Sequence, residues 1–445
     1  MQHVNMLEPK DNPNPKWKST PPGIVRHLIS HMADHLTNPA KIRAARKKHE
    51  AMRVKAGLPH VVEYFHQFDD PYSHLAAQVL NTFAERYDIK LVPHLVRATG
   101  GDNQPELEKL ARWARRDAEI VAPYFGLDFP PNAGVHPLPA SVRAGQRAVA
   151  TLSPAMFVRA ISEVSKAVWR DRPVPGDTTF DDTKVDALVE KGNARLSELK
   201  HYSGAMFYYA GEWYWGIDRL FHLERRLRSL GACKNPDLPL ICPRPKIDMA
   251  GVDASGLELD FFPSLNSPYT AANYDRTIEM ARECGIKLNH RPVLPMVMRG
   301  VPLTKEKAFY IVADTKREAD DLGVSFGPVM SPIGDPVHRV YSLFPWARTQ
   351  GKETALLSSA LHTAFGRGVG LHTKAGLRAA VERAGLSWKE AQIHLDKPDY
   401  QAEVAASQKE MIEKIGLWGV PSYRLRGGGE DLAVWGQDRL WLLAA

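Results

Sequence analysis

The feature that most constrains this chain is an order of elements that occurs twice. An apolar, alternating segment, VVEYFHQF (61–68), runs into DDPYSHLAAQVL (69–80). Much later LELDFFPSL (257–265) runs into NSPYTAANYDRTI (266–278). In both, a strand pattern feeds a helical pattern through an x-P-Y-[ST] turn. A second strand follows each, DIKLVPHLV (88–96) and GIKLNHRPVL (285–294). Helical stretches with similar endings come next, RRDAEIVAPYFGLDFPP (115–131) and TKREADDLGVSFGP (315–328). Both copies close on a hairpin and a helix start, GAMFYYAGEWYWGIDRL (204–220) and GVPSYRLRGGGEDLAVWGQDRL (419–440). Six features in one order amount to a long-period repeat. Each copy reads as an α/β unit with an all-α subdomain inserted before its hairpin.

This repeat sets the expected organisation. Residues 1–56 are an N-terminal helical arm, 57–230 the first copy, 231–256 a linker and 257–445 the second copy. Pro236, Pro239, Pro243 and Pro245 give the linker an extended, semi-rigid character. In the arm, Ile24, Val25, Leu28, Ile29, Met32 and Leu36 recur at helical spacing, and Asn38-Pro39 is a helix start. The expectation is a helix packed through its Ile24/Leu28/Met32 stripe. His27, His31 and His35 lie four apart but have no Cys beside them, and we read them as a solvated face rather than a metal site. The formal charge of +7 belongs to the arm. Residues 1–55 hold eleven Lys/Arg against four acids, which leaves the remainder neutral. Nucleic acid and membrane are therefore not expected partners. No segment has about 18 successive apolar residues, and the first thirty lack an apolar signal core. Three cysteines form neither a CxxC pair nor a zinc pattern, the usage of a reducing compartment. We expect a cytoplasmic location and no metal.

Three places in the second copy carry chemistry. Ser267 stands at the end of a strand and the start of a helix, where N–H groups and the helix dipole favour an anion. Alone, it reads as a helix cap. It is also placed to donate a hydrogen bond to a ligand thiolate and lower that thiol's pKa. Pro421 begins a strand, either as a trans initiator or as a cis bond that turns Val420 towards an extended peptide. Gln437 and Asp438 stand at a final helix start, where an α-amino acid is held or a helix is merely capped. Taken together they make a thiolate site, a peptide clamp and an amino-acid clamp, which are the parts of glutathione.

The SPYT turn, GVPSY and WGQDRLWLL resemble the 2-hydroxychromene-2-carboxylate isomerase family, relatives of kappa-class glutathione transferases in the DsbA-like thioredoxin superfamily. The resemblance covers about 57–230 and 257–445. It implies two tandem thioredoxin-like domains, each with an inserted α-helical subdomain, behind the helical arm. It also implies a glutathione-dependent isomerase acting by thiolate addition to a conjugated, aromatic small molecule, with glutathione as co-substrate. Ser267 would stabilise the thiolate, Val420 and Pro421 would meet the cysteinyl backbone, and Gln437 and Asp438 the γ-glutamyl end. Lys307 falls near a family Lys at the glycyl end, and Gly300 falls where the family has an Asn. Arg299 or Lys305 is a candidate for a substrate carboxylate, with surface solvation the plainer reading of each. The first copy keeps Asn103 and Asp218 but has Asp70 for the serine and Met206 for the proline. It reads as a degenerate partner in an intrachain pseudo-dimer, Asp70, Asn103 and Asp218 being a possible second site. A homo-oligomer is also open. The alternatives are a glutathione transferase or peroxidase on the same site, or a non-catalytic binding protein of the same fold. Disulfide exchange is not expected, because neither x-P-Y-[ST] turn contains Cys, and Cys284 reads as a core thiol.

Overall fold

The computed structural model describes residues 7–9 and 11–445; Lys10, one of the arm's basic residues, lies outside them. The chain divides into two compact units. One comprises residues 43–245, the other residues 246–445 together with the chain up to Ile42. The division falls inside the arm and inside the linker, so neither of those is a body of its own. The arm carries helices α1 (Lys16–Ser19), α2 (Gly23–Thr37) and α3 (Pro39–Lys55).

In the 43–245 unit, β1 (His60–His66) leads into α4 (Pro71–Arg86) and β2 (Ile89–Leu95). The insertion follows as α5 (Leu107–Val121), α6 (Pro139–Ala150), α7 (Pro154–Trp169) and α8 (Asp182–Glu198). The hairpin β3 (Met206–Tyr209) and β4 (Glu212–Trp215) and helix α9 (Gly216–Ser229) close it. In the other unit, β5 (Glu258–Phe262), α10 (Pro268–Glu283) and β6 (Lys287–His290) precede a longer insertion. Its helices are α11 (Lys305–Asp321), α12 (Asp335–Ser342), α13 (Phe344–Thr349), α14 (Glu353–Leu361), α15 (Lys374–Arg383), α16 (Trp388–His394) and α17 (Gln401–Lys409). The hairpin β7 (Ser422–Arg426) and β8 (Leu432–Trp435) ends it.

Both sheets have one plan. Their orders are β2-β1-β3-β4 and β6-β5-β7-β8, the first pair parallel and the others antiparallel. The central strands β1 and β5 are covered on both faces, so Val62, Tyr64, Phe65, Leu259, Phe261 and Phe262 are all fully buried. Phe261 stacks on Tyr423 across the sheet at 5.1 Å between ring centroids. The helix after each central strand starts because a polar cap and a proline coincide, Asp70-Pro71 and Ser267-Pro268.

The arm docks differently from its expected stripe. Ile24, Leu28 and Met32 are exposed (74, 60 and 44 %), whereas Arg26, Ala33 and Thr37 are buried. The reason is the surface that α2 meets, a loop whose main-chain carbonyls need donors. Arg26 gives Nη1 to the Ser331 carbonyl (2.9 Å) and Nη2 to that of Ile333 (2.7 Å), and Ser30 donates to that of Val329 (2.6 Å). His27 lies against His372 and His31 against His35, and among the described residues no group of three His, Cys, Asp or Glu is arranged to hold a metal. On α3, Arg46 forms a bidentate pair with Glu212 (2.6 and 2.8 Å).

The linker departs from a free extended segment. Its first half folds back on the 43–245 unit. Arg86 and Arg228 donate to the carbonyls of Pro239, Pro236 and Leu238, the Glu224 carboxylate accepts the Ile241 N–H, and Cys242 is buried. No described helix is long and apolar enough to cross a membrane.

Candidate active site around Ser267

Ser267 is the N-cap of α10 in extended conformation, delivered there by β5. Its Oγ accepts the Thr270 N–H at 3.1 Å and donates to the Val420 carbonyl at 3.3 Å. One hydroxyl therefore joins the start of α10 to the residue before Pro421, and its side chain is nearly closed from solvent at 8 % exposure. The Val420–Pro421 bond is cis. Behind it Gly419 is required by space, since a Cβ there would fall on the Trp435 indole. Ser422 Oγ donates to the Gly419 carbonyl (2.8 Å) and the Gly436 N–H to that of Pro421 (3.0 Å), fixing this turn to β8.

The turn before the cap is held from the insertion. Ser331 Oγ donates to Asn266 Oδ1 (2.7 Å). The Leu265 N–H donates to the Tyr341 hydroxyl (3.1 Å), which donates onward to the Val293 carbonyl (3.0 Å). Tyr269 Oη donates to the buried Asp314 at 2.9 Å. The 43–245 unit contains a matching pair, Tyr72 to Asp117 at 2.8 Å, again 45 residues apart. Neither pair is among the sequence-based candidates, although both stand at equal spacing from their P-Y turns.

Arg299 corrects an expectation. It is not a surface-solvated cation; Nε donates to the Leu294 carbonyl (2.9 Å) and Nη2 to that of Trp418 (2.7 Å). Burial lowers its pKa to about 10, with the Tyr341 hydroxyl opposing that fall. Arg299 thus ties the loop after β6 to the residues leading into Val420. Lys307 lies in the first turn of α11, and burial lowers its pKa to about 8. Lys305 sits over the Phe309 ring at 5.4 Å. Gly300 has φ +84°, and a Cβ there would come within 3.1 Å of Pro9 of the arm.

The closing segment also departs from its expected form. Gln437–Leu443 is a seven-residue 3₁₀ turn rather than an α-helix, so it presents no developed dipole. Gln437 is buried and its Nε2 donates to Glu318 at 2.7 Å, while its Oε1 has no partner among the described residues. Asp438 is half-buried on the same turn beside Arg439.

In the 43–245 unit Asp70 occupies the cap of α4. It accepts the N–H groups of Tyr72 (3.3 Å) and Ser73 (2.9 Å) and the Ser73 hydroxyl (2.8 Å). Burial nonetheless pushes its carboxyl up to about 6. Met206 begins β3, preceded by Ala205 at φ +57°. Asn103 ends a 3₁₀ turn and Asp218 lies in the first turn of α9, both half-buried. Cys284 is buried at the C-cap of α10, where burial raises its thiol pKa.

A parallel strand pair extended by an antiparallel hairpin, with a polar cap facing a cis-proline turn, is a thioredoxin-like architecture. Residues 258–445 match the profile of the DSBA-like thioredoxin domain. Among solved structures, a 2-hydroxychromene-2-carboxylate isomerase is similar at 18 % identity and a TM-score of 0.35, over 42 % of this chain and 92 % of that one. A probable DsbA oxidoreductase from Streptomyces coelicolor is similar at 18 % identity and TM-score 0.32, over 42 % and 88 % of the two chains. The cytosolic disulfide reductase DsbM from Pseudomonas aeruginosa is similar at 16 % identity and 0.33, over 40 % and 88 %. No curated protein matches the chain.

Proposed function

We propose that the 258–445 domain is a glutathione-dependent enzyme of the 2-hydroxychromene-2-carboxylate isomerase type, acting on a conjugated aromatic substrate, and that the 43–245 unit is a duplicated copy without that site. One observation carries this reading: the Ser267 hydroxyl is held by the α10 N–H of Thr270 and turned towards Val420, beside cis-Pro421. The residues present fit the ligand. The Val420 N–H makes no hydrogen bond among the described residues and suits a peptide carbonyl. Gln437 Oε1, buried without a partner among those residues, is the acceptor that an ammonium group needs. Lys307 supplies positive charge at the start of α11.

When bound, glutathione supplies a thiol nucleophile. The chain's part is to orient and to set protonation. The Thr270 N–H fixes the Ser267 oxygen, so the hydroxyl proton is free to be redirected from the Val420 carbonyl to an anion. A hydrogen bond to the charged form favours that form and lowers its pKa. The identity of the cap separates the copies, because Asp70 would repel the same anion. Neither cap is a cysteine, which supports addition chemistry over disulfide exchange at these positions. Calorimetry of the full chain with glutathione tests the reading. Binding that Ser267→Ala weakens, with loss of thiol-dependent turnover, is the expected result, and no binding to the wild type refutes it.

A further inference from the structure

Two irregular loops frame Ser267. Residues 295–304 follow β6, and Arg299 ties them to Trp418 and so to the Val420 turn. Residues 327–334 precede α12, and Ser331 ties them to Asn266. Some of their carbonyls accept main-chain N–H groups, Val297 from Gly300, Thr304 from Ala308 and Gly334 from Val337, whereas those of Val301, Leu303, Val329, Ser331 and Ile333 take donors from the arm. Asn14 Nδ2 donates to the carbonyls of Val297 (3.2 Å) and Val301 (3.0 Å), and Asn12 Nδ2 to that of Val297 (2.8 Å). Lys18 Nζ reaches the Leu303 carbonyl (3.0 Å). On the second loop stand the Arg26 and Ser30 contacts already described, and the Ser19 carbonyl lies close against Gly334. Glu8 accepts from His338 on α12 (2.9 Å).

We infer that the arm up to Thr37 is a working part of the Ser267 site: it positions the 295–304 and 327–334 loops, and Asn14 and Arg26 are its positioning residues. Each is buried and serves main-chain carbonyls of one loop. These contacts are polar, whereas Ile24, Leu28 and Met32 on α2 face solvent. The loops in turn bond Asn266, next to Ser267, and Trp418, two residues before Val420. Displacing the arm leaves buried carbonyls unsatisfied on both sides of the site, which moves the loops before it moves the sheet.

This inference rests on the glutathione reading for its ligand, and its test separates the two. Asn14→Ala and Arg26→Lys in the full chain are compared with the exposed-face control Leu28→Ser. Amide exchange is followed in residues 295–304 and 327–334, and glutathione affinity is measured by calorimetry. The expected result is faster exchange confined to the loop each residue serves, and affinity lower by about tenfold. Leu28→Ser is expected to match wild type. A protease site inserted after Asn38 then allows the arm to be nicked and removed, and a synthetic peptide of residues 1–37 added back is expected to restore both readouts. Unchanged exchange overturns the inference, as does tighter glutathione binding on arm removal, which would make the arm a cover. If wild type binds no glutathione yet the loops lose protection and regain it with the peptide, the ligand reading fails and the positioning role stands.

Discussion

Ser267 and Asp70 perform one structural task with different chemistry. Both cap a helix that begins with proline, and both accept N–H groups of its first turn. Ser267→Asp therefore keeps the cap and changes the charge. We expect its unfolding free energy to stay within about 1 kcal/mol of wild type in urea titrations, with glutathione binding abolished. Ser267→Ala loses the cap as well and is expected to cost about 1 kcal/mol by the same measurement. Asp70 makes a separate prediction. Burial raises its carboxyl to about 6, above the ordinary value near 3.9, so the folded chain holds that proton more tightly than the unfolded one. Its contribution is thus most favourable at low pH and declines as pH rises from about 4 to 6. Asp70→Asn is expected to flatten that part of the stability profile, measured by urea titration at successive pH values.

At the scale of elements, the sheets owe their order to a few obligatory contacts. Gly419, before β7, leaves room for Trp435 at the end of β8, and Gly419→Ala is expected to cost about 1–3 kcal/mol by forcing the indole aside. Loss of Trp435 fluorescence structure accompanying the lower denaturation midpoint would confirm the cause. On β1, burial would raise the Glu63 carboxyl, yet hydrogen bonds from Arg195 and His94 outweigh it and bring it to about 2. A depressed carboxyl stabilises above its unfolded pKa and loses that contribution as pH falls. The 43–245 unit is therefore expected to lose stability between about pH 4.5 and 2, and Glu63→Gln to remove most of that slope in acid titrations followed by circular dichroism. The central strands, the x-P-Y turns and the Ser267 cap were legible in the sequence, because each depends on residues within four of one another. The 3₁₀ form of Gln437–Leu443 was not, since QDRLWLL has ordinary helical composition and the Glu318 that Gln437 meets lies 119 residues away.

For the whole molecule, the repeat predicts a stoichiometry. With Ser267 in one copy and Asp70 in the other, calorimetry is expected to give one glutathione per chain, and two would refute the assignment of the first copy as silent. The cis form of the Pro421 turn came from the structure, while the sequence by itself determined the element order that occurs twice, the two x-P-Y turns and the confinement of net charge to the arm. These are local or compositional signals, carried by residue type at short spacing. Only the tertiary structure decided that α2 turns Ile24, Leu28 and Met32 outward, that Arg299 serves the Trp418 carbonyl, and that Asn14 and Arg26 donate to the Val297 and Ser331 carbonyls 283 and 305 residues away. Their partners are main-chain carbonyls, which every residue possesses, so no side-chain pattern at the receiving end could announce them.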